Sequence, residues 1–375
     1  MLPIGTPIPW DLYSRAGRIV FRKGFVIHSA ANIERLLSMD LHVGFPAAGH
    51  ADDHARATKQ KSAAELLAHS RVGPLRTMEQ FADQITDCFA GVRLGHTSAG
   101  EELRRIIAAA RDFYRRHPDT CVAAVHFNHG RSYQALQPLY SLFLALLVAG
   151  TLEWDEARSA VLAGVALTAN IGLSEVYDEW VSQPGRLDVA QDRLRLQHPR
   201  RSVERLQDAG VSDPDWLRAV LQHHEWCDGS GYPEGLVADE ISQEALIVGL
   251  VERYLSCILP RRGRQSVLPG EALKWIYDDA GKHGIRNISP FIKALGVNPP
   301  GTAVILANGE IAVVKRRGVE QDAMHPVVVS VRLQGGKYLD TQPQRDTREP
   351  PYCIRQAYLP GKGEINPALM VRSWR

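Results

Sequence analysis

The residue types best suited to chemistry are concentrated at 222–236, QHHEWCDGSGYPEGL, where His223 and His224 are adjacent and Glu225 follows. Neutral imidazoles are the commonest side-chain ligands of first-row metal ions. Two on successive residues point about a quarter turn apart on a helix, so they can serve two ions or two sides of one centre. Taken alone, the pair reads more readily as two surface or helix-end histidines than as a metal site. Gly229, Gly231 and Pro233 come next and force a tight loop, which holds Asp228 and Tyr232 against that helix end.

The elements that must position these residues are helical. From about Val125 to Gly296 there is no strand alternation. Within that stretch, Ser159 to Val176 is continuously apolar and predicts one buried helix. Ser132 to Leu152 carries no charge, but it holds Gln134, Gln137 and Pro138. It offers about 12 apolar residues where a membrane span needs about 20, and so predicts a buried helix. Further helices are expected at Glu65 to His69, Thr77 to Cys88 and Gly100 to Arg116.

The two ends differ from this middle. Residues 9–27 carry two β-type runs around Ser14 to Gly17 and predict a hairpin, followed by a helix at Ala30 to Met39 and a strand at Leu41 to Phe45. Pro46 to Ser62 has no apolar period and reads as a linker. Gly301 to Leu306, Glu310 to Arg316 and Val327 to Leu333 are β-branched runs, with an Asn308-Gly309 turn between the first two. The expected fold is mainly α, flanked by a small N-terminal β unit and a small C-terminal antiparallel β module. The expected divisions are 1–48 for the N-terminal unit, 49–75 for the linker, 76–125 for a helical lead-in, 126–299 for the main helical domain and 300–375 for the β module.

Composition narrows the classes. The chain has 375 residues, 45% hydrophobic and 23% charged, with 44 Lys and Arg against 42 Asp and Glu. This excludes a disordered chain and gives no global basic field of the kind that marks a nucleic-acid binder. Cys88, Cys121, Cys227, Cys257 and Cys353 are odd in number and lack CxxC spacing, which argues against a disulfide framework and a thiolate zinc site and favours a reducing cytosol. MLPIGTPIPWDLYSR has no secretory pattern. The expectation is a cytoplasmic protein with neither nucleic acid nor membrane as partner.

HHExxDGSGYPxG resembles the signature of the HD-GYP family, the cyclic di-GMP phosphodiesterase branch of the HD phosphohydrolases. LQHPRRSVERL at 196–206, VSQPGRLDVAQ before it and ALIVGLVERYLSCI after the signature are similar to the family's segments at those places. PWDLY and AGRIVFRKGFVI at the start, and LGVNPPGTAVILANGEIAVV near the end, resemble modules that flank this domain in some bacterial proteins.

The resemblance implies a helical pocket with two or three iron or manganese ions, which bind a phosphodiester and lower the pKa of a bridging water from about 15.7 toward 7. It implies His198, His223 and His224 as three histidine ligands, and Glu225, Asp228, Gly229, Gly231, Tyr232 and Pro233 as the signature loop. The His-Asp doublet that names the superfamily falls on LTANIGLSE, so Ala169 and Asn170 occupy it and Leu173 takes the place of the lysine that follows. Glu252 stands where the family has an aspartate ligand. Upstream, SYQALQPLYSLF lacks the expected glutamate and histidine, and His126 and His129 are the nearest substitutes.

The resemblance implies that the doublet's aspartate bridges two ions; without it, two dications about 3.5 Å apart repel by roughly 19 kcal/mol at an effective dielectric of about 20, less what other ligands neutralise. The expectation is therefore one Fe or Mn ion on His198, His223, His224 and Glu252, or none. Three functions follow from the resemblance. The leading one is a degenerate, non-hydrolytic or weakly hydrolytic signalling protein that acts by protein or nucleotide binding, with a diguanylate cyclase (GGDEF) domain as a partner for the loop. The others are a cyclic di-GMP phosphodiesterase with an atypical metal site, and a sensor that binds cyclic di-GMP through Arg200, Arg201 or the loop.

Overall fold

In the computed structural model, the described residues are 12–13, 19–21, 42–43, 365 and 74–361, apart from 97, 128–132, 184, 261–264, 319–323, 334–335, 337 and 340. The helices expected at Ala30 to Met39 and Glu65 to His69, the linker as far as residue 73, and His129 lie outside them. The chain divides into two units, Met1–Gln60 and Lys61–Arg375. In the first, β1 (Leu12–Tyr13) pairs antiparallel with β2 (Ile19–Phe21) and with β3 (His42–Val43).

The second unit begins with α1 (Pro74–Arg93) and α2 (Ala99–Arg116). Both are amphipathic at helical spacing: Met78, Phe81, Ile85 and Phe89 of α1, and Leu103, Ile106, Ala110 and Phe113 of α2, are buried. Glu101 and Glu102 in the first turn of α2, with Arg115 and Arg116 in its last, suit the helix dipole. Then come α3 (Pro118–Phe127), α4 (Tyr133–Thr151) and α5 (Glu156–Thr168). The apolar α4 is the central helix. An 18-residue window of it passes a length-and-hydropathy test for a membrane span, yet 83% of that window is buried among other helices, in contact with α3 and α5.

The single helix expected over Ser159 to Val176 is two elements. The α-helix stops at Thr168, and a 3-10 turn follows at Ile171–Leu173. The cause is tertiary: Ser202 donates from its hydroxyl to the Ala169 carbonyl and accepts from the Gly172 amide, so another helix takes over backbone groups that would have continued this one.

The remaining helices are α6 (Tyr177–Ser182), α7 (Val189–Asp208), α8 (Pro214–Gln222), α9 (Gln243–Ile258), α10 (Pro269–Asp278), α11 (Ala280–His283) and α12 (Ile285–Leu295). Their starts are written in the sequence. Asp188 opens α7 with a capping box to Gln191, Asp213 caps α8 ahead of Pro214, and Ser242 caps α9. One apolar core runs from Met78 of α1 to Leu295 of α12.

The chain ends in a five-stranded antiparallel sheet, ordered β7-β6-β5-β4-β8. Its strands are β4 (Ala303–Leu306), β5 (Glu310–Arg316), β6 (Val327–Leu333), β7 (Gln344–Asp346) and β8 (Ile354–Ala357). One face packs Ile311, Val313 and Val331 on Ala123 of α3, and Arg317 bonds Asp119 at 2.6 Å. The other face buries Val304, Leu306, Val314 and Val328 against Tyr352 and Ile354.

Candidate metal centre

Helix α7 carries His198 inward, and the C-terminal end of α8 presents His223 and His224 to it. His198 and His223 are each 1% exposed, and His224 is half-buried. One ligand atom from each ring lies within 4.8 Å of the others. His198 Nδ1 is 2.5 Å from the Arg195 carbonyl and His223 Nδ1 is 2.6 Å from the Val220 carbonyl. A carbonyl only accepts, so both Nδ1 atoms carry the proton and both Nε2 atoms present bare lone pairs when the rings are neutral. Burial, reinforced by the neighbouring His223, holds His198 well below the usual histidine range. Burial followed by His223 and His198 does the same for His224.

The two Nε2 atoms face each other at 3.1 Å. Bare lone pairs at that distance repel. The separation is also what two nitrogens about 2.1 Å from a common ion have near a right angle. The donor set therefore fits a divalent cation. Glu252, one side-chain layer away on α9, places Oε2 3.9 Å from Nε2 of both His223 and His224. Gly249 makes that approach possible, since a Cβ there would stand 2.6 Å from the His223 carbonyl oxygen.

The loop after the histidines is held from inside. Glu225, 3% exposed, accepts from the amides of Glu234 at 2.6 Å and Leu236 at 3.0 Å. Asp228 accepts from the Ser230 amide and hydroxyl, which holds its carboxyl below the usual range, and Gly229 turns at φ +76°. A side chain on Gly231 would drive its Cβ to 2.4 Å from the Trp226 nitrogen. Tyr232, whose peptide bond to Pro233 is cis, stacks its ring on His224 at 4.7 Å.

Three histidines thus converge beside a glycine-tyrosine-proline loop, in a chain that is similar to several known proteins. An HD domain family model matches residues 122–284. The chain is 24% identical to the cyclic di-GMP phosphodiesterase PA4108 of Pseudomonas aeruginosa over 309 residues, 78% of this chain and 74% of that protein. It is 26% identical over 186 residues to the cyclic di-GMP phosphodiesterase response regulator RpfG of Xanthomonas campestris, covering 48% of each chain. The fold matches Bd1817, an HDG"Y"P protein of Bdellovibrio bacteriovorus, with a TM-score of 0.51 at 15% identity, covering 76% of this chain and 94% of that one. Residues 122–284 match an HD domain, and the chain is similar to HD-GYP proteins.

Where the resemblance sets the doublet and the lysine after it, Ala169 and Leu173 are buried, and Asn170 donates its amide to Glu252 Oε1. Gln137 of α4 donates to the same oxygen at 3.3 Å. Gln137 lies inside the SYQALQPLYSLF segment, where only Glu and His would have signalled a ligand. His126 is directed elsewhere, to the Val122 carbonyl at 2.9 Å and the Tyr254 hydroxyl at 2.8 Å, and does not line the histidine cavity.

That cavity measures about 680 Å³. Beyond the histidines it is lined by the cations Arg195, Arg253 and Lys282 and by the aromatic rings of Tyr177, Trp180, Trp226 and Tyr232. Arg195 sits 5.1 Å over the Tyr232 ring, and Lys282 lies 4.6 Å over Trp226. None of these cations stands out in the sequence, because α7, α9 and α11 meet only in the fold. Arg200 and Arg201 are outside the cavity lining and pair with Glu234 at 3.2 Å and Glu175 at 3.4 Å.

Proposed function

We propose that this HD-GYP-like protein works in bacterial cyclic di-GMP signalling by binding, with phosphodiester hydrolysis lost or very weak. The observation that carries the reading is the pair of carboxamides, Asn170 and Gln137, bonded to Glu252 where a hydrolytic centre needs anions. Neither amide offsets ion–ion repulsion, and Ala169 and Leu173 contribute packing only.

In this reading His198, His223, His224 and Glu252 hold one iron or manganese ion. Such an ion, when bound, supplies Lewis acidity toward a phosphate oxygen. Around it, Arg195, Arg253 and Lys282 pair with phosphates, and the Trp226 ring offers a face for a base. The loop edge at Asp228, Ser230 and Glu234 is exposed and offers a surface to a signalling partner such as a GGDEF domain. The cytosol is the compartment that matches such a role and the five free cysteines.

A second reading, a phosphodiesterase with an atypical site, draws on the histidine trio and on the names of the relatives, each called a cyclic di-GMP phosphodiesterase. Incubating the manganese-loaded chain with cyclic di-GMP separates the two. Binding by calorimetry without linear product supports the first; multiple turnovers that vanish in the His223→Ala variant support the second.

A further inference from the structure

The two oxygens of Glu252 are held in different ways. Oε2 is directed toward the imidazoles, 3.9 Å from Nε2 of His223 and of His224. Oε1 accepts from the side-chain amides of Asn170 and Gln137, which are 7% and 2% exposed. The Gln137 carboxamide takes this orientation even though its own Oε1 is then buried with no hydrogen-bond partner among the described residues. Turning it over would set its oxygen against the carboxylate.

The N–H ends of the amides carry positive partial charge. A cation approaching Oε1 meets two such dipoles and must displace both donors, whereas one at Oε2 meets the bare Nε2 of His223. The other carboxylate lining the cavity, Asp279, is engaged by Arg253 at 3.5 Å and Lys282 at 3.9 Å. One side of Glu252 is thus prepared for a cation and the other is closed to it.

We propose that Asn170 and Gln137 form an amide clamp that fixes Glu252 as a one-oxygen ligand and limits the centre to a single divalent ion. Both are positioning residues, acting through Glu252. The inference rests on the ion-binding part of the reading above and adds which residues set the number of ions.

The test is a titration of the metal-free full-length chain with Mn2+ alone, followed by electron paramagnetic resonance, which counts bound ions and separates isolated from spin-coupled ones. The wild type takes up one uncoupled ion per chain. Asn170→Leu and Gln137→Met, close in size but unable to donate, each bind that ion about 10- to 100-fold more weakly, the usual effect of losing a residue that orients a ligand. Melting temperatures of the metal-free variants confirm that they are folded, and either variant suffices if the other is not. Gln137→Glu with Asn170→Asp replaces the donors by anions and admits a second, spin-coupled ion.

Two ions in the wild type, or unchanged affinity in both Leu and Met variants, overturns the clamp. Wild-type chain that takes up no Mn2+ overturns the clamp together with the ion-binding reading. Turnover of cyclic di-GMP by chain carrying a single ion overturns the non-hydrolytic reading and leaves the clamp standing.

Discussion

Nε2 of His198 and Nε2 of His223, 25 residues apart in sequence, stand 3.1 Å apart with both Nδ1 atoms committed to backbone carbonyls. A cation bound to both nitrogens relieves their repulsion and ties α7 to the end of α8. Mn2+ at about 100 times its dissociation constant should then stabilise the folded chain by about 2.7 kcal/mol. Calorimetric melting of wild type and His223→Ala, each with and without Mn2+, checks this. The variant should show no gain.

The fold was largely legible in the sequence, and the reasons are local. Leu103, Ile106, Ala110 and Phe113 mark a helix by period, and Val327 to Leu333 marks a strand by β-branching. Strands β7 (QRD) and β8 (IRQA) were not legible, because they are short and half-polar and are defined by pairing with β6 and β4. The break after Thr168 was hidden in an apolar run and depends on Ser202 of a distant helix. The histidines and the loop were visible as a motif. Gln137, Arg195, Arg253 and Lys282 were not, since a glutamine or a lone basic residue on a helix carries no signal until tertiary packing gives it neighbours.

The signature loop depends on one buried carboxylate. Glu225→Ala removes the acceptor for the amides of Glu234 and Leu236 and leaves both without it inside the loop. A loss of about 3 kcal/mol in unfolding free energy is expected, since each of two hydrogen bonds to a charged group is worth about 1.5–3 kcal/mol and the freed amides of this half-exposed loop regain part of it from water. Urea denaturation measures it; Glu225→Gln, which keeps an acceptor, should lose less.

Stability should fall in mild acid because of His283. Burial lowers its pKa from 6.5 to about 4, with Arg253 and Lys282 adding to the decrease and Asp279 and Asp228 opposing it. The unfolded chain therefore binds a proton that the folded chain does not between those values. The stabilisation is complete above about pH 6.5 and is lost as pH falls toward 4, by about 3 kcal/mol in all. Denaturant melts across this range should show a steeper decline for the wild type than for His283→Gln.

Gly249 sets the distance between α9 and the histidines. In Gly249→Ala the new Cβ would lie 2.6 Å from the His223 carbonyl, a rigid backbone neighbour, so α9 must shift and carry Glu252 with it. Destabilisation of about 1–3 kcal/mol is expected. Mn2+ affinity should drop about tenfold, as for a disturbed ligand-orienting contact. Chemical denaturation and an Mn2+ titration read the two effects separately.

The most direct test of the account is the metal content of the full chain, purified without oxygen or chelator and measured by elemental mass spectrometry. With Asn170 and Gln137 in place of anions beside Glu252, the account predicts no more than one iron or manganese ion per chain. Two or more ions per chain would contradict it and make a hydrolytic centre the better description.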